Sequence, residues 1–377
     1  MIGMKYLFAT VFAGVMCTVA PSFAAAVFET QNTATDEAKV FTFGSPVEAD
    51  EIQTNNIGSA SSCADGRFAF RAGTVNVREG GYVRANGNGT ASSDKYLGNW
   101  LGANAGIATL NIEGGTFWMD VSGASNDGAG ALRVPVNGGA NDAVLNLSSG
   151  VLRVDKFLHN GVGTMVVTNG GSYVTKGGLL FGNGAGAHGT LTITDGGTVE
   201  VSGNICFCYK ANSDATLNLK RGGVLSAQRL YRRATGTATL NFDGGTLKAV
   251  ADDKNLIDSN IAVVLNANSA IDNDGKNVTI VPTISGTAGL TLVGSGTTTI
   301  SSDQEYLGAT TVSSGTTLSA NGCIFAGAMV FEAGAAVEVP SIPEGERKVA
   351  VLTHPIRAWN RFRAERMAIA SLFKTGS

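Results

Sequence analysis

The chain has 377 residues, 51 of them glycine and only 7 proline, and carries a formal net charge of −3. That balance lacks the basic excess of a nucleic-acid binder, and no stretch beyond the N-terminus is long and apolar enough to span a membrane as a helix. Proline-poor sequence rich in Gly, Thr, Ser and Asn, with regularly placed Val, Leu and Ile, predicts β-structure with many turns rather than a flexible linker.

The first segment reads as a secretory signal over residues 1–24. Lys5 is its positive end, Tyr6–Val19 its apolar run, and cleavage is expected after Ala24 or Ala26, where small residues cluster. Cys17 does not make a lipoprotein site, because Val15 and Met16 precede it where a small residue is needed. Residues 25–65 scatter Phe28, Val40, Phe41 and Phe43 among polar residues and show no repeat; they are expected to cap an otherwise open edge.

From about Gly66 to Val250 one unit recurs. Its clearest copy is Gly189–Val201, where Leu191 and Ile193 alternate with threonines, an Asp-Gly-Gly turn follows, and Val199 and Val201 alternate again. Alternation on both sides of a glycine doublet describes two short strands with one apolar face each. Copies at Thr74–Ala85, Thr109–Met119, Val144–Val154, Thr164–Thr175, Thr216–Ala227 and Thr239–Ala249 align on their second glycine, or on Gly150 in the Ser-Ser-Gly copy. Two residues past it stand Val83, Phe117, Leu152, Tyr173, Val199, Leu225 and Leu247, and two further on Ala85, Met119, Val154, Thr175, Val201, Ala227 and Ala249. The aligned glycines lie 21 to 35 residues apart, the spacing of a solenoid.

Trp100, Phe181, Phe207 and Leu230 each stand ten residues before the first apolar residue of the next copy. That offset predicts a third strand whose inward residues share one column, and three strands in ~21–26 residues make one coil of a β-helix. A propeller blade needs ~40–50 residues, so it fits poorly. Asn76, Asn111, Asn146, Asn218 and Asn241 occupy outward positions beside the apolar residues. They either stack their amides into a ladder or are simply tolerated by solvent.

From residue 251 to 340 the pattern tightens, with Gly296, Gly315 and Gly334 spaced by 19. Residues 294–318 carry a Gly-x-Gly-Thr frame, then Tyr306, Gly308 and Val312, and close on Gly315–Leu318. Here the chain resembles the autotransporter-associated β-strand repeat proteins, closely over residues 271–320 and more loosely through the glycine-doublet copies. The resemblance implies a right-handed, single-stranded parallel β-helix displayed outside the cell as a secreted passenger. An outer-membrane barrel needs at least eight strands of ~10 residues, and only 37 residues follow Pro340, so either a separate outer-membrane exporter or an incomplete chain is expected. Residues 341–377 turn basic, with Arg357, Arg361, Arg363 and Arg366, and are expected to be a weak helix or disordered, hence a short non-β tail.

Little here points to chemistry. His159, His188 and His354 are far apart in sequence, and no nucleophile elbow, phosphate loop or zincin motif is present. Asp252, Asp253, Asp272 and Asp274 are the densest acidic set, but Asp-Asn-Asp-Gly places its glycine too early for a calcium loop and reads as turn chemistry. Cys63, Cys206, Cys208 and Cys323 allow three disulfide pairings. Cys206 and Cys208, two apart on a strand, are expected on one face and poorly spaced for a bridge to each other. Arg229, Tyr231 and Arg233 are expected on the outside of one strand, as a solvated face or as contacts for a sugar acid. The sequence therefore points to an exported, non-enzymatic structural or adhesive β-solenoid, secreted or at the cell surface, with no cofactor or metal. Its expected partner is a surface glycan or a host or neighbour-cell component, met through loops such as Ser122–Gly130 and Val136–Asp142. The alternative is a β-helix that binds or cleaves polysaccharide.

Overall fold

A computed structural model describes residues 28–30, 40–54, 68–70, 73–86, 99–101, 108–120, 131–134, 143–155, 157–160, 163–182, 186–320, 323–340, 347–351, 356–358 and 362–363. The expected signal segment, the loops at 122–130 and 136–142, Cys63 and His354 lie outside them. Every regular element among the described residues is a β-strand, and the strands form a parallel β-solenoid with three walls. The strand before each glycine doublet enters the first wall, the strand after it the second, and the intervening segment the third. Among the described residues these walls carry 11, 12 and 14 strands.

The predicted column is a register line. Val83, Phe117, Leu152, Tyr173, Val199, Leu225 and Leu247 pair in succession along the second wall. The line continues through Ile271, Leu292, Val312 and Phe331, beyond the copies that announce it. All eleven side chains are buried. In the first wall Val75, Leu110, Leu145, Met165, Leu191, Leu217, Leu240, Val263 and Ile284 make a parallel line, also buried. Adjacent rungs lie ~4.8 Å apart, so the lines merge into one continuous apolar core. No rung could offset its ordering entropy of ~1–2 kcal/mol per residue alone; neighbours supply the buried surface.

The glycine doublet serves the corner between the first two walls. Gly196 turns at φ 79°, which favours glycine, while Gly197 passes so near the rung below that a Cβ would stand 2.3 Å from the Val167 carbonyl oxygen.

The third strand exists as predicted, but its four named residues do not share a column. Leu230 aligns with Ile205 and Leu179, whereas Phe207 aligns with Arg232 and Trp100 with Arg133. The cause is corner length. Ten residues separate Phe207 from Leu217, but eight separate their register partners Arg232 and Leu240, so a constant offset in sequence changes register.

Beyond Ile284–Gly286 the first wall loses its regular ladder and the coil shortens to 20 and then 19 residues, from Leu292 to Val312 to Phe331. Backbone bonds keep the side closed. The Glu305 N–H donates to the Ile284 carbonyl at 2.9 Å and the Gln304 N–H to the Ile324 carbonyl at 2.8 Å. The residues that carry the family resemblance explain themselves here. Tyr306 is buried and its hydroxyl bonds the Thr310 hydroxyl, while at Gly308 a Cβ would stand 2.2 Å from the Ala288 carbonyl carbon.

The tail is neither helical nor without structure where it is described. Arg347–Val351 pairs antiparallel with Ala336–Pro340 in the third wall, and Ile356–Ala358 with Met329–Phe331 in the second. Phe362–Arg363 pairs antiparallel with Ile324–Phe325. The chain thus reverses and lays one short strand against each side of the last coil. The physical reason is the open row of N–H and C=O groups that a final parallel rung presents. At the other end, Ile52–Thr54 is the edge strand of the first wall and pairs parallel with Val40–Phe43.

Candidate functional site

The outward face of the third wall around Arg229–Arg232 gathers cations and aromatic rings. Leu230 points into the core, which leaves Arg229 and Tyr231 half-buried on the outer face and Arg233 exposed beyond the strand end. The Arg229 guanidinium carbon lies 5.4 Å from the Tyr231 ring centre, and the Arg233 one 4.2 Å from that of Tyr209, one rung below. The Lys210 ammonium is 5.6 Å from the same Tyr209 ring. Arg232 donates to the Gly236 carbonyl at 3.1 Å. Asp258 pairs with Arg229 at 3.3 Å and, among the described residues, is the carboxylate in ion-pair contact with this group. The buried Arg229 Nε–H meets no acceptor. Burial, together with the neighbouring Cys206, pushes the Tyr231 hydroxyl up to about 12. Arg229 packs on Tyr231 within the strand, while Arg233, past the strand end, packs on Tyr209; Tyr209 and Lys210 belong to the neighbouring rung, which no linear spacing indicates.

The two thiols do not share a face. Cys206 sits between the inward Ile205 and Phe207 and lies against Tyr231 in register, whereas Cys208 falls past the strand end at φ 52° and joins the core. Its thiol donates to the Thr237 carbonyl at 3.4 Å. The positive φ breaks the alternation that the sequence reading assumed. Burial pushes both thiols up, so neither is primed as a nucleophile.

The acidic set is absorbed by turns. Asp272 accepts the Asp274 N–H at 2.8 Å, Asp252 accepts the Asn277 N–H at 2.7 Å, and Asp274 pairs with Lys248 at 2.9 Å. The side chain of Asp253 lies outside the described residues. His188 pairs with Asp214 at 3.0 Å on the surface.

Two further outward features have no signal in the linear sequence. Trp118 lies between Arg84 and Arg153, each guanidinium carbon 4.5 Å from its ring, and donates from Nε1 to Asp155 at 3.0 Å. Both guanidinia stack on the same ring, so this cluster completes itself. A shallow groove of about 570 Å³ at the corner between the first two walls is lined by Thr194, Lys220, Arg221, Asp243 and Asn268. Its charged side chains are Lys220, Arg221 and Asp243, two cations and one carboxylate.

Comparison with protein families, with curated proteins and with solved structures finds no match.

Proposed function

We propose that the protein is an exported, non-enzymatic β-solenoid that works as a structural or adhesive rod at the cell surface or outside the cell. In this reading the coil is a right-handed passenger similar to those of the autotransporter-associated repeat proteins. The observation that carries the proposal is the unbroken line of stacked residues from Val83 to Phe331, one continuous column of parallel rungs. A uniform coil of this kind holds side chains at fixed spacing along its length, which suits multivalent adhesion.

The test is location. Antibody against the coil, applied to intact cells and to the culture medium, is expected to find the mature chain there; retention in the cytoplasm would end this reading. Incubation with polyuronates is expected to release no unsaturated products, and clear turnover would replace adhesion with catalysis.

A further inference from the structure

We propose that the outer face formed by Arg229, Arg233 and Lys210 with Tyr209 and Tyr231 binds an anionic polysaccharide. It deepens the adhesive reading above by naming a ligand class and a place. Two observations converge on it. Among the described side chains cations outnumber carboxylates here, in a chain whose net charge is −3, and Asp258 answers Arg229 alone. The guanidinia are held against tyrosine rings, and their remaining N–H groups can donate to carboxylate or sulfate oxygens.

The extent of the face suits a polymer. The backbones of Arg229 and Arg233 are four residues apart along one extended segment, or ~13 Å, so the face runs past a single sugar unit. Lys210 and Tyr209 stand one rung below, ~4.8 Å along the axis, and widen the face in the second direction. An extended chain bearing an anion on successive sugars engages both guanidinia at once, and its hydroxyls meet the tyrosines. Binding through two tethered contacts then exceeds that of the single sugar acid.

The experiment uses the purified full chain and titration calorimetry at fixed salt. Polygalacturonate, dextran sulfate, galacturonic acid, neutral dextran and double-stranded DNA are the probes. Polygalacturonate or dextran sulfate is expected to bind, which identifies carboxylate or sulfate as the anion, while neutral dextran does not and the monomer binds far more weakly. The double variant R229Q/R233Q is expected to lose affinity by about tenfold or more, because charge-assisted hydrogen bonds are removed. K220Q/R221Q, which removes the same charge at a distant corner, is expected to change it by less than about twofold. If the double variant does not fold, R233Q alone serves, since that side chain is exposed. Equal binding by wild type and R229Q/R233Q, no binding of either acidic polymer, or equal binding of DNA would overturn the proposal. Failure here leaves the surface location of the chain untouched, and mislocation leaves this binding untouched, so the two readings fall separately.

Discussion

Asn111 stands between two copies of itself. Its Nδ2 donates to Asn76 Oδ1 at 2.9 Å, and its Oδ1 accepts from Asn146 Nδ2 at 2.9 Å. The run breaks at Val166 and resumes where Asn218 bonds Thr192 at 3.2 Å and Asn241 bonds Asn218 at 2.8 Å. Of the two sequence expectations, the ladder is the one realised. Asn111→Ala removes two bonds and orphans a donor and an acceptor, so about 1–3 kcal/mol of local stability should go; Asn241→Ala, which breaks one bond, should cost about half that. Hydrogen exchange of the first-wall amides reads both, and two variants indistinguishable from wild type would return these residues to simple solvent tolerance. The N-terminal end of the ladder is closed by a charge. Glu51 accepts from Asn76 Nδ2 at 3.1 Å and pairs with Arg78 at 2.8 Å. Burial disfavours its charged form, but the Glu48 N–H, the Arg78 guanidinium and the Thr42 hydroxyl together hold its carboxyl below the usual 4.5. A depressed folded pKa contributes stability that is present above 4.5 and lost as pH falls through the folded value. Protection of the Val40–Phe43 amides is therefore expected to drop below about pH 4.5 in wild type but to be flat with pH in Glu51→Gln.

At the scale of elements, the ends differ from the middle. A parallel rung leaves an unsatisfied edge on every wall, and the tail covers the last one with three antiparallel strands. Deleting residues 347–377 exposes those edges, and edge strands recruit other chains. Sedimentation of the shortened protein is expected to show concentration-dependent association that the full chain lacks; a monodisperse monomer would mean the tail seals nothing. The middle of the chain was legible because alternation and glycine spacing are local signals, repeated often enough to align. Val83 to Leu247 can be placed in one line with no knowledge of three-dimensional structure. The tail was not legible, because its strands are two to five residues long and acquire their conformation from partners such as Ala336–Pro340, while the arginines obscure any alternation. The candidate face was legible by half. Arg229, Tyr231 and Arg233 are neighbours in sequence, but Tyr209 and Lys210 reach them only through the stacking of rungs. The offset of Trp100, Phe181, Phe207 and Leu230 misled for a related reason: a corner shortened by two residues shifts register without disturbing composition.

Across the whole molecule each rung rests on two neighbours and on nothing else, so damage should stay where it is made. In a globular domain every core residue shares one cooperative unit, and a buried unpaired charge unfolds all of it. Here Val199 is buried between Tyr173 and Leu225, with the line continuing for several rungs on each side. Val199→Asp places a carboxylate in that line with no cation facing it, at a cost of about 3–5 kcal/mol. Because coupling is between nearest neighbours, the flanking rungs lose one interface each and keep their others. Limited proteolysis of the variant is expected to cut within about one coil of Val199 and to leave a resistant C-terminal fragment spanning roughly Ser213 to Pro340. That fragment buries its own lines from Leu217 to Ile284 and from Leu225 to Phe331, enough stacked rungs to stand without the N-terminal half. Complete digestion without a resistant fragment would show instead that the column folds as one indivisible unit, and the additive picture of the rod would fail.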